Sequence, residues 1–198
     1  MDMQLRCECG TLHGQLDTRR SAGRARCYCK DCQAYARHLG RESSMLDGNG
    51  GTEIVACRPA DLRFMAGSDR LVCMSLGEGG LLRWYADCCR TAIGNTPRDR
   101  RTAYVGLVRA CLPEGDAVMD AAFGPLRIAL NVGSARGTVD ATPAATTLGV
   151  LRIMRNVIGA RLSGSFTTNP FFTIDDGLPI STPRVLSASE RKALDRVG

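Results

Sequence analysis

The chain has 198 residues, of which 44% are hydrophobic and 23% charged, so it can bury a core as one domain or as one domain with an extension. No apolar run reaches the roughly 18 residues that span a bilayer, and the first residues form no apolar signal region. These absences predict a cytoplasmic protein without membrane contact. The formal net charge is +6, but the sequence contains no long run of like charges, which disfavours nucleic acid as a partner.

The cysteine content is the most informative part of the composition. Ten cysteines without an export signal predict free thiols or metal ligands rather than disulfides. They are clustered in the sequence, whereas disulfides connect distant loops. The 22 glycines and the low aromatic content of 5% favour tight turns and β-structure, so the predicted fold class is mainly β within an α+β arrangement.

The first predicted element is a metal knuckle at Cys7 and Cys9, where Gly10 permits a sharp bend. A half-buried strand over 11–16 follows, because apolar and polar residues alternate there. His13 lies on this strand as a candidate ligand or base. A lone histidine at a strand edge is more often an exposed or locally bonded residue, and we favour that interpretation.

A second group of thiols follows at the end of a strand that begins near residue 25. Cys27 and Cys29 share one face of an extended chain, and the next residues can turn Cys32 back towards them. Asp31 is the predicted N-cap of a short helix over 31–39 that Gly40 ends. Three converging thiols predict a tetrahedral zinc site with an open fourth position.

Further strands are predicted over 52–56, 71–76, 81–85 and 102–112, with a hairpin turn at 77–80 and a short helix within 58–64. The isolated Cys57, Cys73 and Cys111 are predicted to be plain buried thiols. Cys88 and Cys89 lie in a turn, where adjacent cysteines can straddle a metal ion. We pair them with the first knuckle as a closed four-thiolate site.

The predicted domains are a zinc-binding β domain over 1–112 and a C-terminal extension over 113–198 that packs on it. The extension consists of a loop over 131–145, a helix over about 146–162, a short strand and turn over 171–177, and a last helix over about 188–197 behind a capping box. We expect the first of these helices to pack its apolar residues onto the β domain rather than a membrane: Leu148, Leu151, Ile153, Met154, Val157, Ile158 and Leu162.

Three thiolates and a zinc ion carry a net charge of −1, which makes the zinc a weak Lewis acid towards water and better suited to a soft fourth ligand such as a substrate thiolate. Binding lowers the pKa of that thiol and holds its sulfur. The cluster therefore favours chemistry at a substrate sulfur or at the carbon attached to it.

Several motifs, in this order, resemble those of the glutathione-dependent formaldehyde-activating family. They are Cys-x-Cys-Gly at 7–10, Cys-x-Cys-x-x-Cys-Gln at 27–33, Leu-Arg-Phe at 62–64 followed by Gly67, and paired thiols followed by Thr-x-Ile at 88–93. The resemblance implies a β-tent fold of packed antiparallel sheets. It also implies a structural zinc at Cys7, Cys9, Cys88 and Cys89, and an active, exchangeable zinc at Cys27, Cys29 and Cys32. The activity implied is that of a carbon–sulfur lyase on a small thiol such as glutathione.

The chain departs from that family pattern after the hairpin, where the family has Phe-Cys-x-x-Cys-Gly. Ala86 stands in place of the first cysteine of the pair, and Arg90 in place of the glycine. Cys88 can supply the missing ligand from a shifted position; otherwise this site has three thiols. The alternative function is a non-catalytic zinc module that binds a protein or nucleic acid, with Asp31, His38 or another thiol closing the second site. In the enzyme interpretation, Gln33, Tyr35 and His38 are candidate pocket residues, although ordinary helix surface is favoured for each.

Overall fold

Two β-sheets form the framework of the protein, which a computed structural model describes over residues 2–140 and 142–195. The smaller sheet is antiparallel and has the order β1 (Asp2–Arg6), β2 (His13–Asp17), β5 (Leu62–Ala66). The larger sheet has eight strands in the spatial order β10 (Ile128–Leu130), β3 (Gly23–Cys27), β4 (Thr52–Cys57), β9 (Val105–Val108), β8 (Thr91–Thr96), β7 (Leu82–Ala86), β6 (Leu71–Ser75), β11 (Arg184–Val185).

Five α-helices accompany the sheets: α1 (Lys30–Leu39), α2 (Glu42–Met45), α3 (Asp116–Phe123), α4 (Pro143–Leu162) and α5 (Ala188–Asp195). The predicted mixed α+β class, mostly sheet and with C-terminal helices, is confirmed. Among the described residues, no helix combines the length and the apolarity that crossing a membrane requires.

The main core lies between the two sheets, because alternate side chains of the strands in each sheet point towards the other sheet and are buried there. Trp84 of β7 is fully buried in this core. Phe171, from the C-terminal part of the chain, packs against it with ring centroids 5.1 Å apart and meets Phe64 edge-on at 5.6 Å. The opposite face of the larger sheet packs against α1, so each strand of its centre is buried on both sides.

The C-terminal part of the chain extends the larger sheet at both edges. Strand β10 runs parallel to β3 and places Leu130 opposite Cys27, while β11 runs parallel to β6. These two strands and α3 are absent from the sequence prediction. Strands this short carry too few residues for an alternating pattern to be recognised.

Several local predictions need correction. Cys29, not Asp31, is the N-cap of α1, because the Cys29 sulfur accepts a hydrogen bond from the Cys32 N–H at 3.3 Å. The predicted strand over 102–112 is shortened to β9, since a 3₁₀ turn begins at Arg109. Of the short strand and turn predicted over 171–177, the strand is reduced to one isolated bridge, from Phe172 to Pro179, and the chain bends over 174–176.

Other local predictions are confirmed. Gly40 ends α1 in the left-handed conformation at φ +65°. The capping box at the start of α5 has both of its bonds, from Ser187 N–H to the Glu190 carboxylate at 2.8 Å and from Glu190 N–H to the Ser187 hydroxyl at 3.3 Å. The predicted end of this helix, at residues 196–197, lies outside the described residues.

The expectation that helix α4 packs its large apolar residues onto the β domain is wrong. Gly149 and Ala160 are its buried residues, and Ile153 and Val157 are half-buried. The larger apolar side chains point outward and are exposed: Leu148, Leu151, Met154, Ile158 and Leu162. The helix therefore contacts the sheet through small residues, which allow its backbone to approach more closely than the larger side chains would.

Candidate metal centres

Four cysteine sulfur atoms meet where the end of β1 approaches the turn between β7 and β8. All four lie within 4.8 Å of one another: Cys7, Cys9, Cys88 and Cys89. Gly10 adopts φ +80° and closes the first turn through a bond from its N–H to the Cys7 carbonyl. Arg90 closes the second with φ +58°, a conformation that non-glycine residues seldom adopt. The backbone thus bends sharply on both sides of the cluster, as a metal knuckle requires.

The spacing of these sulfurs suits a tetrahedral zinc ion. The Cys88 sulfur lies 3.3 Å from that of Cys9, 3.9 Å from that of Cys7 and 3.8 Å from that of Cys89. A zinc–sulfur bond of about 2.3 Å gives a tetrahedron with an edge of about 3.8 Å. Cys88 thus brings a fourth sulfur to the cluster. Ala86, which stands where the resembled formaldehyde-activating family has a cysteine, is buried in β7.

Hydrogen bonds around this cluster stabilise negative charge on some of the sulfurs. The Leu12 N–H points at the Cys7 sulfur at 3.3 Å, although burial raises the pKa of Cys7 overall. The hydrogen bond with the Thr11 hydroxyl lowers the pKa of Cys9 to about 6. The pKa of Cys88 is raised to about 12 because the neighbouring protein atoms partly desolvate its sulfur although the residue is exposed, and its hydrogen bond with Cys9 acts in the same direction. Thiolate character is therefore already present at neutral pH before any metal binds.

A second cluster forms where β3 passes into α1. The sulfurs of Cys27, Cys29 and Cys32 all lie within 4.8 Å of one another. Cys27 and Cys32 are each 7% exposed, while Cys29 is half-exposed at the N-terminus of the helix. The partial positive charge of that helix end favours a thiolate at Cys29 and Cys32. Sequence proximity alone explains this convergence, because all three thiols lie within six residues.

No fourth metal ligand joins these three sulfurs among the described residues. Asp31, one candidate, instead forms ion pairs with Arg191 at 2.8 Å and Arg83 at 3.8 Å. His38 lies at the far end of α1, where burial lowers its pKa and the Arg90 charge acts in the same direction. The donor set is thus three thiols, as expected for a zinc site with an open position.

The other candidate pocket residues of α1 have structural roles. Tyr35 is buried, and its hydroxyl donates a hydrogen bond to the Trp84 carbonyl at 2.9 Å. Gln33 is buried too, and its amide donates to the carbonyls of Tyr28 and Ser134 at 2.9 and 3.0 Å. Gln33 therefore holds the segment after β10 against the start of α1. On the smaller sheet, His13 is exposed and pairs with the Gly10 carbonyl.

A buried guanidinium lies beside the three sulfurs, a feature that the sequence analysis missed. Arg83 of β7 is 3% exposed, with one nitrogen 4.0 Å from the Cys32 sulfur and 3.1 Å from the Asn95 side-chain oxygen. Its guanidinium also stacks over the Tyr35 ring at 5.3 Å. Its positive charge can offset the net charge of −1 that three thiolates and a zinc ion carry. The signal that could have identified Arg83 from the sequence is a charged residue inside a strand that is buried on both faces.

Other polar groups on the same face of the larger sheet complete the surroundings of the cluster. Thr52 lies directly opposite Cys27 in the strand register, and its buried hydroxyl has no hydrogen-bond partner among the residues that the structure describes. The Asn131 amide donates to the Cys27 sulfur at 3.4 Å. The Tyr104 hydroxyl lies over Gly106, where a Cβ would be 2.7 Å from its oxygen. An unpartnered buried hydroxyl is costly, so Thr52 favours a bound polar group at this cluster.

The three thiols share one negative charge when no metal is bound. Hydrogen bonds from Cys29 and then Cys32 lower the pKa of Cys27, while the same bonds raise the pKa of the two donors. The Arg83 charge lowers the pKa of Cys32, in opposition to those bonds and to burial. Burial raises the pKa of Tyr104, and negative charges at Cys57, Cys27 and Cys32 act in the same direction, so its hydroxyl keeps its proton at neutral pH.

Fold and sites together define an α+β protein with two cysteine clusters that can each hold a metal ion. The chain belongs to the family of unknown function DUF6151, whose model matches residues 2–180. No curated protein matches the chain. A crystal structure of a Rhodobacter sphaeroides protein is similar, with 20% identity and a TM-score of 0.39 over 57% of this chain and 90% of that one. A likeness at this score carries no weight in assigning function.

Proposed function

We propose that the protein is a zinc-dependent enzyme that forms or breaks a carbon–sulfur bond on a small thiol such as glutathione. The three-cysteine cluster is the reaction centre, and the four-cysteine cluster holds a structural zinc. The observation that carries this proposal is the convergence of three sulfurs with no fourth protein ligand among the described residues. A closed site would place a fourth donor there, as the other cluster does.

The donor set supports a thiol as the substrate. Zinc held by Cys27, Cys29 and Cys32 supplies a position for a soft ligand and a lowered pKa for a thiol bound there. The buried Arg83 balances the negative charge of the cluster, which keeps a further anionic sulfur from being repelled. The helix N-terminus at Cys29 adds positive potential on the more exposed side.

The polar face around the cluster can orient the second reactant. In a hydroxymethyl adduct, the thiol sulfur bonds to the aldehyde carbon and the thiol proton ends on the aldehyde oxygen. That oxygen needs a hydrogen-bond donor, and Tyr104 and Thr52 each carry a hydroxyl on this face. Tyr104 suits the role because a phenol carries its proton at neutral pH and can donate a hydrogen bond to that oxygen. Asn131 holds the Cys27 sulfur in orientation through its amide.

One observation favours the alternative, a non-catalytic zinc module. Arg191 of α5 forms an ion pair with Asp31 at 2.8 Å, and this contact covers the first turn of α1 beside the cluster. Cys27 and Cys32 are also nearly inaccessible. In such a module, solvent or a small anion would complete the second zinc site, and the protein would act through its surface.

Exchange of formaldehyde between its free and glutathione-bound forms, measured by NMR, tests the proposal. We expect the zinc-loaded protein to accelerate this exchange and Cys32→Ser to lose the acceleration while keeping the zinc at the other cluster. Tyr104→Phe should retain both zinc ions and lose most of the rate. Equal exchange rates with and without the native protein, at two zinc ions per chain, would favour the module instead.

A further inference from the structure

Helix α4 carries an exposed apolar face that nothing in the described structure covers. We define the apolar stripe as five of its side chains, which are between 52% and 84% exposed: Leu148, Leu151, Met154, Ile158 and Leu162. Their spacing of three or four residues places them along one side of the helix. Single exposed apolar residues are ordinary, but a continuous row marks an interaction surface.

The inner contacts of α4 prevent the helix from turning this stripe inward. A Cβ on Gly149 would lie 2.2 Å from the Ile128 side chain, so the helix backbone presses directly on β10. Ala160 is fully buried, and the Asn156 amide donates to the Arg20 carbonyl at 2.9 Å. Rotating the helix would force larger side chains into these contacts. The outward direction of the stripe is therefore set by the packing.

A strongly positive hollow adjoins the stripe. Five arginines line this basic concavity of about 410 Å³: Arg19, Arg20, Arg58, Arg152 and Arg155. Two of them are neutralised by carboxylates, Arg19 by Asp17 at 2.6 Å and Arg58 by Asp61 at 3.0 Å. The sequence of α4 contains three arginines and no acidic residue, so positive charge continues along the helix.

We propose that the apolar stripe and the basic concavity together bind the surface of an anionic phospholipid membrane. The stripe would enter the boundary between headgroups and acyl chains, and the arginines would meet the lipid phosphates, as in other interfacial helices. Charge complementarity favours this occupant over a second copy of the chain. Two such helices face to face would bring their arginines together without a carboxylate on either helix.

This inference is independent of the activity at the three-cysteine cluster. It revises the sequence expectation of no membrane contact. That expectation rested on the absence of a spanning segment and a signal region, neither of which an interfacial helix needs, and on the packing of this helix's apolar residues onto the β domain. The larger apolar residues are exposed instead.

Flotation of the zinc-loaded full chain with lipid vesicles tests the proposal. We expect binding to phosphatidylcholine vesicles that contain phosphatidylglycerol, release at high salt, and no binding to pure phosphatidylcholine. The double variant Arg152→Gln/Arg155→Gln should bind at least about tenfold more weakly, since each basic residue contributes about fivefold. Leu151→Ser/Ile158→Ser should bind neither vesicle type. The matched controls Arg101→Gln and Ile174→Ser, at exposed positions elsewhere, should bind like the native protein.

Zinc content and far-ultraviolet circular dichroism establish that every variant is folded. Absence of binding to anionic vesicles by the folded native protein would overturn the proposal, as would unchanged binding by the Leu151/Ile158 variant. Light scattering tests the alternative occupant of the stripe, a second copy of the chain. A native dimer that this variant converts to a monomer, without any vesicle binding, would assign the stripe to self-association.

Discussion

Replacing Cys88 and Cys89 together by serine tests whether a metal ion joins the start of the chain to its middle. The Cys88 sulfur lies 3.9 Å from that of Cys7, and the two residues are 81 positions apart. Both cysteines are replaced because three thiols can hold zinc, so Cys7, Cys9 and Cys89 would preserve the crosslink if Cys88 alone were changed. Because Cys88 is exposed and Cys89 half-exposed, the substitution removes little packing. Its main effect should be loss of the zinc ion that crosslinks the smaller sheet to the hairpin of β7 and β8.

The length of the closed loop sets the size of the effect. A crosslink that closes 81 residues restricts the unfolded chain by about 4.5 kcal/mol at 25 °C. In a protein of this size, 1 kcal/mol shifts the melting temperature by about 2 to 4 °C. We therefore expect Cys88→Ser/Cys89→Ser to lower the melting temperature of the zinc-loaded protein by about 9 to 18 °C.

Thermal unfolding followed by circular dichroism, with and without a zinc chelator, provides the measurement. Cys29→Ser is the matched control, because the three-cysteine cluster closes a loop of only about six residues and restricts the unfolded chain far less. Chelation should lower the melting temperature of the native protein and leave that of Cys88→Ser/Cys89→Ser nearly unchanged. Equal losses in the two variants, or a native melting curve indifferent to chelation, would refute the crosslink.

Four further predictions follow from side-chain environments and one close backbone contact. In metal-free protein at pH 7, iodoacetamide should label Cys9, whose pKa is lowered to about 6, and spare Cys88, whose pKa is raised to about 12; equal labelling would contradict the hydrogen-bond assignment. Because the lowered pKa stabilises the Cys9 thiolate in the folded state, its contribution to folding should be complete above about pH 9 and lost as the pH falls through about 6. Arg83→Leu should slow alkylation of the three-cysteine cluster at pH 7 by about tenfold or more. The reason is that a positive charge 4.0 Å from a sulfur stabilises its thiolate by about 2 to 4 kcal/mol at partial burial. An unchanged rate would contradict this electrostatic role. Gly14→Ala should lower the melting temperature, since its Cβ would lie 2.3 Å from the Arg63 carbonyl oxygen across β2 and β5, whereas Gly79→Ala, with open space around it, should not.

The part of the site that sequence analysis could describe is local. Cys27, Cys29 and Cys32 converge because the turn into a helix brings close neighbours together, and this follows from their spacing. Arg83 and Asn131 lie 51 and 104 positions away from the thiols they contact. Such contacts depend on the order of strands in the sheet, which no local pattern specifies.

Helix α4 illustrates a different limit. Its apolar periodicity predicts a helix correctly, but it also suggested that the largest apolar residues would be buried. The docking face is instead defined by two buried small residues, Gly149 and Ala160, and Gly149 allows close approach of the backbone to β10. Hydrophobicity scales give small residues little weight, so periodicity alone selects the wrong face when packing is close.

X-ray absorption before and after addition of glutathione counts the sulfur atoms around zinc and so shows whether the three-cysteine cluster is open. We expect about 3.5 sulfur ligands per zinc as an average over the two clusters, rising to about 4 when the thiol fills the open position. Four sulfurs per zinc from the start, or a count that glutathione leaves unchanged, would contradict an open three-thiolate centre.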